Sequence, residues 1–157
     1  MKRISKFFAL LLLILATANA AAAGRAPIID LSAQTARRAD GNPAEVADIA
    51  KAFRAAGGSL GWTFAEEGPA HLVGTVVVRG KHTVVVDIFL RRGEYDVKYR
   101  SSVNMRYREE DADDTGKPAE NQPQQPSLAS KKVRTIHSSY NSWVMNLIHG
   151  VTGELLR

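Results

Sequence analysis

The feature that most constrains this fold is a stretch of two-residue alternation in the middle of the chain. From Tyr95 to Tyr107 the odd-numbered positions are mostly large and apolar, and the even-numbered positions are mostly polar or charged. The odd set is Tyr95, Val97, Tyr99, Val103, Met105 and Tyr107, and the even set includes Asp96, Lys98, Arg100, Asn104, Arg106 and Arg108. Such alternation is typical of an antiparallel strand with one buried and one solvated face.

Three earlier segments also have strand character. Residues 61–66, 72–79 and 82–91 are rich in β-branched and aromatic side chains, and Arg79-Gly80-Lys81 predicts a tight hairpin between the last two segments. Together with the alternating stretch, they predict an antiparallel meander of three to four strands.

Two segments with helical spacing flank the predicted sheet. Asn42 can cap a helix, Pro43 suits its first turn, and Glu45 can reach back to the cap backbone. An apolar stripe follows at Val46, Ile49, Ala50 and Phe53. The glycine pair at 57–58 then favours a helix end, so we predict a helix over residues 43–56.

The second helical segment lies at the C-terminal end of the chain. Residues 136–156 return to three- and four-residue spacing. One broad apolar face is formed by Tyr140, Trp143, Val144, Leu147, Ile148, Val151 and Leu155. The predicted fold class is therefore α+β, a two-layer domain in which the N-terminal and C-terminal helices pack on one face of the meander.

The N-terminal 23 residues have the three parts of a secretory signal peptide. Lys2, Arg3 and Lys6 precede an uncharged apolar run at 7–18, and small residues follow, so cleavage is expected after Ala20 or Ala23. The run is shorter than the roughly 20 residues of a membrane span. There is no cysteine to carry a lipid or to form a disulfide. We therefore expect a periplasmic or secreted domain at 24–157 without a stable membrane anchor.

The charge of the chain depends on this leader. Its three basic residues account for three of the five excess positive charges, so cleavage lowers the net charge from +5 to +2. The basic composition therefore gives no support to a nucleic-acid partner. Within the domain, residues 109–132 begin acidic and become rich in Pro and Gln, a composition that predicts a mobile loop.

No catalytic or metal-binding motif stands out. The four histidines, His71, His82, His137 and His149, lack the mutual spacing of a local metal site, and no cysteine assists them. No serine lies in a Gly-x-Ser-x-Gly turn. The acidic residues at 111–114 fail the calcium-loop template, because the required carboxylates are replaced by Thr115 and Gln122. We therefore predict no metal, no cofactor and no catalytic residue.

Two groups of side chains are candidates for binding. If 136–144 is helical, His137, Tyr140 and Asn141 are neighbours on its surface, where they either form a ligand site or fasten the helix to the sheet. Lys98, Arg100 and Arg106 share the polar side of the alternating strand. They form either a basic binding face, interleaved with Val85 and Phe89, or an ordinary solvated face with charge pairs.

The sequence resembles a family of small exported bacterial proteins, many of them lipoproteins, that have no established function. The resemblance rests on Gly61-Trp62, Gly74, the Arg79–His82 hairpin, the segment from Tyr99 to Tyr107, and the motif Ile-His-x-x-Tyr-Asn-x-Trp-Val-x-x-Leu from Ile136 to Leu147. It implies a periplasmic α+β domain and no activity. This chain departs from the family in having no lipidation cysteine and a longer acidic, Pro-rich insert.

These observations favour a non-enzymatic module that binds an envelope component or a protein partner. The alternative is an envelope-acting enzyme that uses the cluster of His137, Tyr140 and Asn141. That alternative requires the three side chains to meet at an open cleft.

Overall fold

The computed structural model describes residues 24–112 and 132–157, which form a mixed α+β fold with two helices and two antiparallel sheets. The α+β prediction is confirmed. The elements are β1 (Arg25–Pro27), β2 (Leu31–Thr35), α1 (Val46–Ser59), β3 (Trp62–Gly68), β4 (His71–Val78), β5 (His82–Arg91), β6 (Glu94–Val103), β7 (Arg108–Asp111), β8 (Lys132–His137) and α2 (Ser139–Leu155).

The larger sheet has five strands in the order β2-β6-β5-β4-β3. Its four consecutive strands β3 to β6 correspond to the predicted meander. The predicted count of three to four strands is too low, because β2 pairs with the free edge of β6 and a second sheet forms in the order β1-β8-β7. These additions join segments that are distant in sequence, and short-range alternation carries no information about such pairings.

The β4–β5 connection is the three-residue turn 79–81, in which the Lys81 N–H donates to the Val78 carbonyl at 3.2 Å and the two residues between them have positive φ, 54° at Arg79 and 63° at Gly80. Two positive φ values define the type I′ turn, whose twist matches that of the flanking strands. Glycine adopts this backbone without strain, whereas for a residue with a Cβ the same backbone conformation costs about 1 kcal/mol of conformational free energy. Asparagine is the usual first residue of such a turn, so Arg79 is an unusual occupant.

A β-bulge interrupts the alternation of β6. Tyr99 pairs with Val86 and Ser101 pairs with Val85, so Arg100 is an extra residue between the two pairs. Beyond the bulge the side chains change faces, and Val103 is 58% exposed although it belongs to the odd-numbered set. The prediction that every odd position from Tyr95 to Tyr107 shares one buried face is therefore wrong at Val103 and at Tyr107, which is 39% exposed, whereas Met105, beyond the end of β6, is buried.

Helix α1 begins three residues later than predicted and ends three residues later. Glu45, rather than Asn42, is the cap residue, and it forms a reciprocal capping box with Asp48. The glycines at 57–58 lie inside the helix instead of ending it. A Cβ on Gly57 would lie 2.3 Å from the Phe64 ring, so this glycine permits α1 to approach β3 closely.

The core lies where both helices meet residues of the five-stranded sheet. Phe53 of α1 contacts Phe64 and Tyr95 edge-on, with ring centroids 6.1 and 5.0 Å apart. The helices also contact each other closely, since a Cβ on Gly150 of α2 would lie 3.0 Å from the Cβ of Ala56. Packing of this kind stabilises a domain that has no disulfide.

Two predicted boundaries near the C-terminus need correction. Ile136 and His137 end strand β8, and α2 begins only at Ser139. The predicted loop at 109–132 also includes paired residues, because β7 and β8 form a hairpin-like pair with Asp111 opposite Lys132. The rest of that loop, 113–131, and the predicted signal peptide at 1–23 lie outside the described residues. No helix in the described residues is long and apolar enough to cross a membrane.

Candidate functional site

The structure places His137, Tyr140 and Asn141 in three different environments. The Asn141 side chain joins α2 to the segment around β1: its Oδ1 accepts a hydrogen bond from the Ile29 backbone N–H at 3.2 Å, and its Nδ2 donates to the Pro27 carbonyl at 2.9 Å. Both ends of the amide are thus occupied by backbone groups. This geometry matches the interpretation in which Asn141 fastens the helix.

Tyr140 is fully buried, and its hydroxyl makes no hydrogen bond within the described residues. Its ring contacts Tyr99 edge-on at a centroid distance of 5.6 Å. Burial, followed by the negative charge of Asp30, raises the pKa of the Tyr140 hydroxyl well above its ordinary value. The side chain therefore acts as part of the core and presents no group to an open cleft.

His137 borders a cavity of about 390 Å³. The cavity lies between the β4–β5 turn and the first turn of α2, and we call it the histidine cavity. It is lined by Val78, Arg79, His82, His137, Ser139 and Trp143. The His82 and His137 rings lie 6.2 Å apart, centroid to centroid. Of the three residues predicted as one cluster, His137 alone reaches this cavity.

Both imidazoles of the histidine cavity are held by backbone contacts. His82 Nδ1 lies 2.9 Å from the carbonyl oxygen of Asn104. His137 Nδ1 accepts a hydrogen bond from the Ser139 backbone N–H at 3.2 Å, and the His137 backbone N–H donates to the Met105 carbonyl at 2.7 Å. In each ring Nδ1 is therefore engaged, and Nε2 is the nitrogen that can serve a ligand.

The three predicted basic residues do not form a continuous field. Arg100, the bulge residue, donates to Glu67 at 2.8 Å and to Asp87 at 3.2 Å. The hydrogen bond with Glu67 is the main cause of a raised pKa of the Arg100 guanidinium. Lys98 donates to the Ser32 hydroxyl, and Arg106 lies beyond the end of β6 with a φ of 52°.

Arg100 belongs to a cluster that sequence spacing alone did not reveal. Within the described residues, Glu67, His71 and Asp87 are the one group of three metal-ligating side chains whose ligand atoms lie within 4.8 Å of one another. His71 Nε2 lies 2.8 Å from Asp87, whereas His71 Nδ1 lies 3.9 Å from Glu67. The imidazole therefore lies between the two carboxylates and faces each with a different ring nitrogen, so one metal ion could not be bound by all three groups through the nitrogen nearest each carboxylate. Arg100 contacts the same two carboxylates. The arrangement fits a charge-pair network better than a metal centre.

A second network adjoins the first on the same outward face of the sheet. The Arg91 guanidinium donates to Glu94 at 2.6 Å and to Asp96 at 3.0 Å. The hydrogen bond from Arg91, together with one from the Ala33 backbone N–H, lowers the pKa of the Asp96 carboxyl. We call the two networks together the paired-charge patch, comprising Glu67, His71, Asp87, Arg91, Glu94, Asp96 and Arg100. Its cations are matched by carboxylates of the same surface.

The other half of this outward face carries no charge. Val77 pairs with Thr83, which pairs with Val103, and the adjoining row consists of Thr75, Val85 and Ser101. We call these six residues the uncharged patch. Val77 and Val103 are 55% and 58% exposed. The face predicted to be basic is thus divided into a paired-charge half and an apolar, hydroxyl-bearing half.

A second cavity, of about 480 Å³, lies between the loop before α1 and the ends of both helices. Its two arginines are paired locally, whereas Lys51, which also lines it, has no ion pair among the described residues. Arg38 contacts Asp40 at 3.4 Å and Asp48 at 3.8 Å, and Arg157 contacts Glu154 at 2.8 Å. Most of the charged groups in this second cavity therefore already have partners on the protein, which leaves few of them to bind a ligand.

Comparisons of this chain with protein-family models, with curated proteins and with solved structures give no match. The geometry of the described residues is therefore the basis for assigning a function.

Proposed function

We propose that this chain is an exported, non-enzymatic binding module that acts in the periplasm or after secretion. The signal-peptide pattern of residues 1–23 supports export, and the resemblance to small exported bacterial proteins agrees with it. We further infer a two-layer arrangement in which both helices pack on the inner face of the five-stranded sheet. In that arrangement the outward face is the broad surface left for a partner.

The observation that carries the proposal is the uncharged patch. Val77 and Val103 lie on either side of Thr83, in register across three strands, and both are more than half exposed. Single exposed apolar residues are common, whereas a contiguous apolar patch often marks an interaction surface, and the half-buried Val85 in the adjoining row extends the two exposed valines. An apolar, hydroxyl-bearing sheet face suits a protein surface of similar character, so a protein partner fits it better than a charged envelope polymer.

The paired-charge patch borders the uncharged patch on the same face of the sheet. Each of the carboxylates Glu67, Asp87 and Asp96 already contacts a cationic or imidazole group of the same face. A partner that docked there would have to displace existing ion pairs and would gain little net attraction. We therefore place the centre of the interface on Val77, Thr83 and Val103, with the charges at its rim.

Site-specific photo-crosslinking in the exporting host tests this function. A photoreactive residue at Val103 should give a discrete protein adduct in the periplasmic fraction. The same residue at Ser142, on the exposed side of α2, should give none. Aspartate at both Val77 and Val103 should remove an adduct formed from a probe at Ser101. No adduct at 103, or equal adducts at 103 and 142, would refute the proposed interface.

An envelope-acting enzyme that uses His137, Tyr140 and Asn141 has less support. His137 borders a cavity, but Asn141 is bonded to backbone at both ends and the Tyr140 hydroxyl is buried. General acid–base catalysis needs its groups within hydrogen-bond reach of one substrate. Only His137 of the three lines the histidine cavity.

A further inference from the structure

The histidine cavity differs from the other charged regions in the balance of charges that line it. Its lining contains Arg79 and two histidines and no carboxylate. Within the described residues Arg79 makes no ion pair or hydrogen bond through its guanidinium, whereas Arg91 and Arg100 each contact two carboxylates. A cavity with an unpaired cation and no anion is suited to a negatively charged ligand.

The backbone contacts of the two imidazoles decide which ring nitrogens carry protons. The Asn104 carbonyl can only accept, so His82 Nδ1 must donate, and neutral His82 keeps a lone pair on Nε2. The Ser139 backbone N–H can only donate, so His137 Nδ1 accepts, and neutral His137 carries its proton on Nε2. The His137 ring therefore offers an N–H donor to a ligand, and the His82 ring offers a second donor once it binds a proton.

We propose that the histidine cavity binds a phosphate monoester that carries an apolar or aromatic body. The Arg79 guanidinium, His137 Nε2–H and the Ser139 hydroxyl supply donors of three kinds, and protonated His82 supplies a fourth. A phosphate monoester presents three terminal oxygens in a tetrahedral array, whereas a carboxylate presents two in one plane, so the phosphate can meet donors that approach from more directions. The cavity, at about 390 Å³, is larger than one phosphate ion and falls in the range of small-ligand sites. Trp143 and Val78 form the apolar part of its lining.

The turn that carries Arg79 provides a selective test. Arg79 has a positive φ in a type I′ turn, a position that asparagine tolerates better than arginine. The substitution Arg79→Asn should therefore leave the thermal midpoint unchanged or raise it while removing the unpaired cation. Arg92→Asn is the matched control, because Arg92 lies in the next hairpin connection and is already paired with Glu45 at 2.7 Å.

The imidazoles can be tested by substitutions that keep the backbone contacts. In His137→Asn the amide oxygen can still accept from the Ser139 N–H, and in His82→Asn the amide N–H can still donate to the Asn104 carbonyl. Both variants lose Nε2. The charged or titratable groups that line the cavity are Arg79 on the turn, His82 on β5 and His137 on β8, with Ser139 as a neutral donor on α2.

The experiment is calorimetric titration of the protein recovered from an exporting host with phenyl phosphate, inorganic phosphate and benzoate. We expect phenyl phosphate to bind more tightly than the other two. Arg79→Asn and His137→Asn should each weaken it at least about tenfold, the loss of a charge-assisted hydrogen bond. Arg92→Asn should stay within about twofold. The Trp143 fluorescence should change on binding, and His82→Asn, which loses Nε2, should also weaken binding.

Three results would overturn the inference: no heat with any of the anions at millimolar concentration, unchanged affinity in Arg79→Asn, or tighter binding of benzoate than of phenyl phosphate. Binding of Zn²⁺ that requires both histidines, without binding of phosphate, would instead make the cavity a metal site. The inference is independent of the proposed docking face. An intact crosslink at Val103 with no phosphate binding would refute the cavity alone, and the reverse result would refute the face alone.

Discussion

The paired-charge patch and the histidine cavity contain similar residue types but differ in whether their cationic side chains are paired. In the patch, Arg91 and Arg100 each contact two carboxylates of the same sheet face. In the cavity, Arg79 contacts no carboxylate among the described residues, and no acidic side chain lines the wall. This difference shows that the number of charged residues on a surface is a poor guide to whether that surface binds a ligand. What matters is whether those charges are already satisfied by neighbours.

The strongest test of this difference removes Asp87. Its carboxylate contacts His71 at 2.8 Å and Arg100 at 3.2 Å, and its side chain is only 19% exposed. Asp87→Ala leaves both partners without this acceptor, so we expect unfolding free energy to fall by about 1–2 kcal/mol in urea denaturation. Ser101→Ala, in the uncharged patch on the neighbouring strand, should be nearly neutral. Equal effects of the two substitutions would show that the charge pairs contribute nothing particular to stability.

The substitution Tyr140→Phe tests whether the binding site extends beyond the residues that line the histidine cavity. Among the described residues the buried hydroxyl has no partner, so its removal eliminates an unsatisfied polar group. We expect the unfolding free energy to stay the same or rise by up to about 1 kcal/mol. The affinity for phenyl phosphate should not change. A loss of binding in this variant would mean that Tyr140 acts with His137 as one site, and the division drawn between core and cavity would be wrong.

The smallest expected effect concerns acid sensitivity in the paired-charge patch. The folded-state pKa of Asp96 lies below the ordinary value of 3.8, mainly because of its hydrogen bond with Arg91. A carboxyl of this kind contributes stability above its unfolded-state pKa, and the contribution is lost as the pH falls through the folded-state pKa. The difference in thermal midpoint between the wild type and Asp96→Asn should therefore be largest near neutral pH. It should shrink below about pH 4. A constant difference across this range would contradict the assignment.

The sequence predicted the parts of the fold that depend on local pattern. The bounds 82–91 of β5 agree with the structure, and the apolar stripes of both helices correspond to buried residues such as Phe53, Val144 and Leu147. Alternation and helical spacing indicate which side chains face a core, and both patterns can be read from a single segment without knowledge of its partners. The α+β class followed from them.

The remaining features depend on contacts between distant segments. The bulge at Arg100 arises from the pairing of β6 with β5 and has no signature in β6 itself. His137 has helical neighbours in sequence but is paired in β8 opposite Arg25. The approach of His82 to His137, and of Glu67 to Asp87, follows from topology. Sequence spacing therefore identified His137 as a candidate but did not reveal its proximity to His82.

The way in which the histidine cavity closes also has a kinetic consequence. One wall, from Val78 to His82, belongs to a tight hairpin whose contacts are local, whereas the other wall, from His137 to Trp143, comes from the far end of the chain. Local hairpins form early and distant pairings late, because long loops cost more entropy to close. A ligand held between the walls would favour the last contacts to form and would act mainly by slowing unfolding. Occupancy of the cavity would then lengthen the lifetime of the folded protein.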